Sequence, residues 1–151
     1  MNLGITLVLF TAIAFPVCAS AFVTTYRYYS QARMRRGLFF IKKGWIRAKL
    51  EYETIGDTIM YYEGSHEYGV YDSDYAWRDV DSSAFPGGVP PGIGCTAHGE
   101  FYDKSWDSDD YYYVTAHVTA YGNGQERTSV SKTKYGSPSG IWTVGKTSGT
   151  W

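Results

Sequence analysis

Apolar and polar positions alternate with period two through much of this chain. Tyr112, Val114, Ala116, Val118 and Ala120 fall on one face of an extended segment, and Tyr113, Thr115, His117, Thr119 and Tyr121 fall on the other. That period predicts a half-buried strand. Gly122-Asn123-Gly124 supplies residues that tolerate positive φ, and the polar, β-branched run 128–134 can pair back, so a hairpin is expected. Its Ala/Val face is small and needs bulky partners opposite. A second alternation sets Ile46, Ala48, Leu50 and Tyr52 against Arg47, Lys49, Glu51 and Glu53, the pattern of a strand with one wet face.

Turn residues divide the rest at short intervals. Gly56-Asp57 leads into 58–63, Gly64-Ser65 into 66–71, and Asp72-Ser73-Asp74 into 75–80; further strands are expected at 98–103 and 141–144. The apolar tetrad Leu38-Phe39-Phe40-Ile41 predicts a short buried strand, with an amphipathic membrane-active segment as the alternative. Residues 82–94 hold Pro86, Pro90, Pro91 and several glycines, which excludes a helix or a central strand and predicts a loop crossing between sheets. No helical period follows residue 37. The expected fold is an all-β, antiparallel β-sandwich of about seven to nine strands.

The first 36 residues read differently. Residues 3–23 carry no charge, and Pro16 precedes Ala19-Ser20-Ala21, whose small side chains suit a signal peptidase. The expectation is a signal peptide over 1–21, cut after Ala21, and a secreted, extracellular product. The alternative is an uncleaved anchor, favoured by the absence of a cation before the apolar run and the presence of Arg27, Arg33, Arg35 and Arg36 after it. Arg33-Met34-Arg35-Arg36 also matches the Arg-x-Arg-Arg pattern of secretory-route processing proteases. Residues 22–36, which show no strand period, are then a pro-segment and 37–151 the single β-rich domain.

Composition bounds the function. The aromatic share of 18%, with 15 Tyr, removes the chain from the disordered class. The total charge of −1 conceals an uneven distribution: the four arginines before residue 37 face no acid, and the remainder is mildly acidic, which argues against nucleic acid as a partner. Any membrane contact is expected only through an uncleaved N-terminus. Of the two cysteines, Cys18 lies in the apolar run and Cys95 stands alone in the body; Cys95 reads as a small buried thiol, or else as the link of a disulfide-bonded dimer.

Candidate chemistry is sparse. Asp72, Asp74, Asp107, Asp109 and Asp110 cluster in two Asp-Ser-Asp turns and offer hard oxygen ligands suited to Ca²⁺, although Asp in a turn also bonds its own backbone and needs no ion. Cys95 and His98 lack the second close pair of a zinc site, Gly92-Ile93-Gly94 lacks the strand–turn–helix setting of a dinucleotide loop, and no acid–base pair can be placed. An enzyme is the least favoured class. The surplus of aromatics suggests a binding surface of Tyr71, Tyr75, Trp77, Trp106, Tyr111 and Tyr113, where rigid amphipathic side chains beside carboxylates suit sugar rings or a protein interface. The expected function is a secreted, non-catalytic binding module for a glycan or a cell-surface protein. A toxin or antimicrobial effector released from a pro-protein is the first alternative, and a structural, filament-forming and hence oligomeric extracellular protein the second.

Overall fold

The computed structural model describes residues 22–87 and 92–151. Within them lie eight strands: β1 (Val23–Arg36), β2 (Ile41–Ile55), β3 (Thr58–Val70), β4 (Tyr75–Gly87), β5 (Gly92–Asp103), β6 (Tyr111–Tyr121), β7 (Glu126–Tyr135) and β8 (Trp142–Thr150). They form two four-stranded sheets, ordered β3-β2-β1-β8 in sheet A and β4-β5-β6-β7 in sheet B. Every pairing is antiparallel. The domain is thus all-β with the two-sheet arrangement of a β-sandwich. The chain meanders, and β8 returns to lie beside β1.

The two alternations read from sequence are the inner faces of β6 and β2. Val114, Ala116, Val118 and Ala120 on one strand, and Ile46, Ala48, Leu50 and Tyr52 on the other, are completely buried. The Gly122-Asn123-Gly124 hairpin joins β6 to β7 as expected, with Tyr121 N–H donating to the Gln125 carbonyl at 2.9 Å. Between the sheets the core is uneven in width. Ala32, Ala48, Cys95, Ala97 and Ala116 make a narrow waist, and aromatic side chains fill the space on either side. At the pole holding the β1–β2 turn, Phe101, Tyr75 and Trp142 pack with ring centroids 5.4–5.6 Å apart, and Trp77, Trp106 and Tyr112 extend the cluster. At the opposite pole Tyr26, Tyr28 and Tyr52 stack, and the Tyr52 and Tyr28 hydroxyls donate to the carbonyls of Tyr121 and Gly124 in the facing sheet.

Several sequence expectations change. The loop expected to cross between sheets over 82–94 is not found in its described part: 82–87 continue β4 and 92–94 begin β5, neighbouring strands of sheet B, and 88–91 lie outside the described residues. Pro86 is compatible with β4 because this is an edge strand, one side of which carries no ladder. The crossings fall at 71–74 and 136–141 instead. Gly64-Ser65 is no turn. Gly64 sits mid-strand in β3, where an added Cβ would lie 2.8 Å from the Cys95 sulfur, so its role is close sheet-to-sheet approach.

The apolar tetrad 38–41 is not a buried strand. Leu38 and Phe39 are 78% and 90% exposed at the tip of the β1–β2 turn, and Phe40 takes a φ of 53° to make that turn. Residues 22–36, without a visible period, supply β1, which is paired on both sides over most of its length. Its alternation is blurred because the inner positions Tyr26, Tyr28, Ser30, Ala32 and Met34 include one polar and one small residue, while the outward ones include Tyr29 and Gln31, the latter itself covered. Arg33, Arg35 and Arg36 therefore end a central strand, and detaching 22–36 would leave the facing edges of β2 and β8 without ladder partners. The signal-peptide reading, with Ala21, falls on residues 1–21, outside the described residues.

Gly44 fixes the width of the aromatic pole: a Cβ there would lie 2.4 Å from the completely buried ring of Phe101. Gly44→Ala is expected to destabilise the domain by about 1–3 kcal/mol through overpacking, and Phe101→Ala by about 3–5 kcal/mol through the cavity it leaves. Urea melts of the two single variants check both values.

Candidate functional site

The six aromatics proposed from sequence do not share a surface. Tyr75 is 3% exposed and belongs to the core. Trp77 and Trp106 lie against it, with the Trp77 indole N–H donating to the Gly69 carbonyl at 3.0 Å. Tyr71 is exposed on the 71–74 crossing, next to β2, where its N–H meets the Lys43 carbonyl. Tyr111 and Tyr113 point outward from sheet B. There Tyr111 stacks on Tyr135 at 4.8 Å, Tyr113 stacks on His98, and Arg78 lies 5.0 Å from the Tyr111 ring. These stacks cross neighbouring strands and hold each other.

The two Asp-Ser-Asp turns do reach the same pole, because both connect strands there. Their carboxylates are engaged separately. Lys43 lies 2.6 Å from Asp72, whose other oxygen accepts the Asp74 N–H; Asp110 accepts the Ser137 N–H. The hydrogen bond from Lys43 holds the Asp72 carboxyl below its usual range. Among the described residues no three His, Cys, Asp or Glu side chains converge as metal ligands, including Asp107 and Asp109. A charged cleft of about 370 Å³ at this pole, between Arg36 and Asp103, is satisfied internally: Arg36 donates to the Tyr75 hydroxyl at 2.7 Å, and Asp103 accepts from the Ser105 N–H and hydroxyl.

Cys95 is completely buried and unpaired, and burial pushes its thiol up to about 11, so at neutral pH it is neither nucleophile nor ligand. His117 on the outer face of sheet B is fixed between the Thr96 and Thr119 hydroxyls at 2.8 and 2.7 Å and stacks on Phe85. Burial lowers its pKa.

The most organised surface is the outer face of sheet A. Trp45 on β2 and Tyr29 on β1 lie flat because glycines on the edge strands leave room beneath them. A Cβ on Gly69 would meet the Trp45 indole at 3.0 Å, and one on Gly149 would meet the Tyr29 ring at 3.2 Å. The Arg47 guanidinium lies between the two rings, 4.6 Å from the centroid of Tyr29 and 5.3 Å from that of Trp45. Gln31 fixes it there by accepting from both Nε and Nη2, and Glu67 accepts from Nη1. Lys49 also bonds Glu67, at 2.8 Å, and holds that carboxyl below its usual range while sitting 3.6 Å over the Trp151 ring. At the far end of the face Arg27 and Glu51 form a two-pronged pair.

Sequence reading took Arg47, Lys49, Glu51 and Glu53 for the wet face of one strand and assigned Arg33 and Arg35 to processing. It missed that β1 brings Tyr29, Arg33 and Arg35 alongside them. The signal was present in Trp45-x-Arg47-x-Lys49, but a neighbouring strand was needed to give it meaning.

The folded protein holds His117 neutral, so the unfolded chain binds a proton more readily between the lowered native pKa and 6.5, the ordinary value. Stability is therefore complete above pH 6.5 and falls as the pH drops below it. The paired carboxylates Asp72 and Glu67 act in a separate, more acid window, because their stabilisation is present above the ordinary carboxylate range and is lost as pH falls through their lowered values. Thermal melts between pH 7 and 5 should show a falling Tm whose slope is reduced in His117→Asn; an unchanged slope in that variant would assign the effect elsewhere. No family model matches this chain, and no curated protein or solved structure matches it either.

Proposed function

We propose that this chain is a secreted, non-catalytic binding module that recognises a glycan through the outer face of sheet A. The observation that carries the reading is the pair Trp45 and Tyr29, two rings laid flat on glycine with the Arg47 guanidinium fixed between them. Flat apolar faces suit the C–H faces of sugar rings, and the fringe of Glu67, Ser65 and Thr147 supplies donors and acceptors for hydroxyl groups. The side chains are already held by packing and hydrogen bonds, so little entropy is lost when a ligand settles on them. The carboxylates nearest the rings, Glu51 and Glu67, are engaged by Arg27, Arg47 and Lys49, which supports binding over acid–base chemistry. The uncharged run before β1 supports export. The aromatic surface under this reading lies on sheet A and not at the tyrosines beside the acidic turns.

Binding of the full chain to a glycan array should identify ligands, and Trp45→Ala should weaken them about tenfold or more, the effect of truncating one aromatic anchor. Tyr111→Ala, on the opposite sheet, should leave binding unchanged. The reverse ranking would move the site to sheet B.

A second reading, a membrane-active effector, draws support from the exposed tip at 38–41. Four apolar side chains in sequence are 55–90% exposed there, and Ile141, 61% exposed, adjoins them through the Gly37 N–H bond to its carbonyl. Under this reading the full chain releases dye from phosphatidylcholine–phosphatidylglycerol vesicles, and Phe39→Asp abolishes release. Vesicles left intact by the parent chain would retire it.

A further inference from the structure

Three side-chain polar atoms among the described residues are buried without a hydrogen-bond partner, and all three lie at one corner of the sheet A face: Arg33 Nε, Arg35 Nε and Thr143 Oγ1. Their proximity follows from register. Arg33 and Arg35 are alternate residues of β1, about 7 Å apart along the strand and on the same side of it. Arg35 is paired with Thr143 of β8, and Arg33 with Trp45 of β2 on one side and Gly145 of β8 on the other. The Arg35 guanidinium is drawn down onto Gly145, where an added Cβ would lie 2.5 Å from it. Neither arginine has a carboxylate within ion-pair distance, although Arg27 and Arg47 on the same face each have one.

We propose that Arg33, Arg35 and Thr143 form an anion subsite beside the Trp45 ring, so that the glycan read by this face is an acidic one, carrying carboxylate or sulfate groups. The inference rests on the glycan reading given above and names its ligand class. The two Nε atoms are closed to solvent, whereas the Nη atoms of both arginines are neither buried nor hydrogen-bonded among the described residues; two guanidiniums side by side repel each other, and one oxyanion held by those outer nitrogens relieves that repulsion. Thr143, whose hydroxyl is also closed to solvent, lies beside Arg35 across the β1–β8 ladder and bounds the subsite on that side. Trp45 adjoins the pair, so a sugar ring stacked on the indole would present an equatorial substituent toward Arg33.

Nucleic acid offers the same charge, but the face suits it less. A phosphate backbone needs a continuous cationic track. Here Glu67, opposite Arg47 on β3, interrupts the face near the arginines, and Glu51 and Glu53 interrupt it again toward the far end of β2; these carboxylates would repel successive phosphates while accepting hydroxyl donors of a sugar.

The test is direct binding of the full chain to four polymers: polygalacturonate for carboxylate, dextran sulfate for sulfate, neutral dextran, and polyuridylate. Measurements in 50 and 200 mM salt use the parent, Arg35→Gln, Arg33→Gln and Arg35→Lys. The expected result is preference for an acidic polysaccharide over dextran. Each Gln variant should lose about tenfold, the scale of one charge-assisted hydrogen bond, with a shallower salt dependence and no loss on any neutral ligand found by array. Arg35→Lys should recover only part of the affinity, because a point charge does not reproduce the guanidinium fork. Thermal melts of the variants check that the fold persists, and Thr143→Val, which leaves both arginines in place, gives an independent readout.

Neutral glycans bound as well as acidic ones, with both Gln variants unaffected, would overturn the subsite and leave the glycan reading standing. Tightest binding to polyuridylate would overturn both. An array and a polymer set that bind nowhere would remove the glycan reading and the subsite with it.

Discussion

Phe101 occupies the space that Gly44 leaves empty, and much of the fold follows from that fit. The phenyl ring inserts from sheet B into the inner face of sheet A at a position where even a methyl group on β2 would collide with it. Tyr75 and Trp142 then close around it from β4 and β8, the first strands after the two crossings. The aromatic cluster thus clamps the ends at which the chain passes between sheets. At the other pole the Tyr26, Tyr28 and Tyr52 stack performs the same task, with two hydroxyls reaching backbone carbonyls across the core. Between these poles small side chains draw the sheets together, and large inner residues there would prise the clamps apart.

Glycines do related work on the outside. On edge strands β3 and β8 they remove the side chains that would otherwise stand beside Trp45, Tyr29 and Arg35, and those long side chains lie down across the gap. A strand interior pays entropy for glycine. Here the return is a flat, preorganised layer of rings and guanidiniums, supported by the hydrogen bonds that Arg47 donates to Gln31 and Glu67. The same device explains why the two outer faces differ. Sheet B carries tyrosines that stack on each other or on His98 and so satisfy one another. Sheet A carries a layer in which two arginines remain without an acidic partner.

The strand texts of β2 and β6, the hairpin after β6 and the all-β class were legible because a period of two needs only a local rule: one face is wet and one is dry. Leu38 to Ile41 was misread by that same rule, since hydrophobicity predicts burial and cannot tell a core strand from an exposed turn tip. β1 was invisible for the converse reason. Its inner face is Tyr26, Tyr28, Ser30, Ala32 and Met34 and its outer face Arg27, Tyr29, Gln31, Arg33 and Arg35, a period blurred by tyrosine on both faces and by Ser30 on the inner one, and the arginines invited a processing reading instead.

The amino-acid sequence by itself determined the class of fold, the inner faces of two strands, the one free cysteine of the body and the positions of the acidic turns, because these depend on neighbours close along the chain. Tertiary structure alone decided which aromatics are core and which are surface. Tyr75 and Trp106 stand in the same kind of Asp-rich text as Tyr71 and Tyr111, and Tyr75 is turned inward by the 71–74 crossing while Trp106 is laid against the core by the β5–β6 connection. It also decided the candidate site. Arg33 and Thr143 are separated by most of the chain, and only the return of β8 to the side of β1, a consequence of the meander's closure, makes them neighbours.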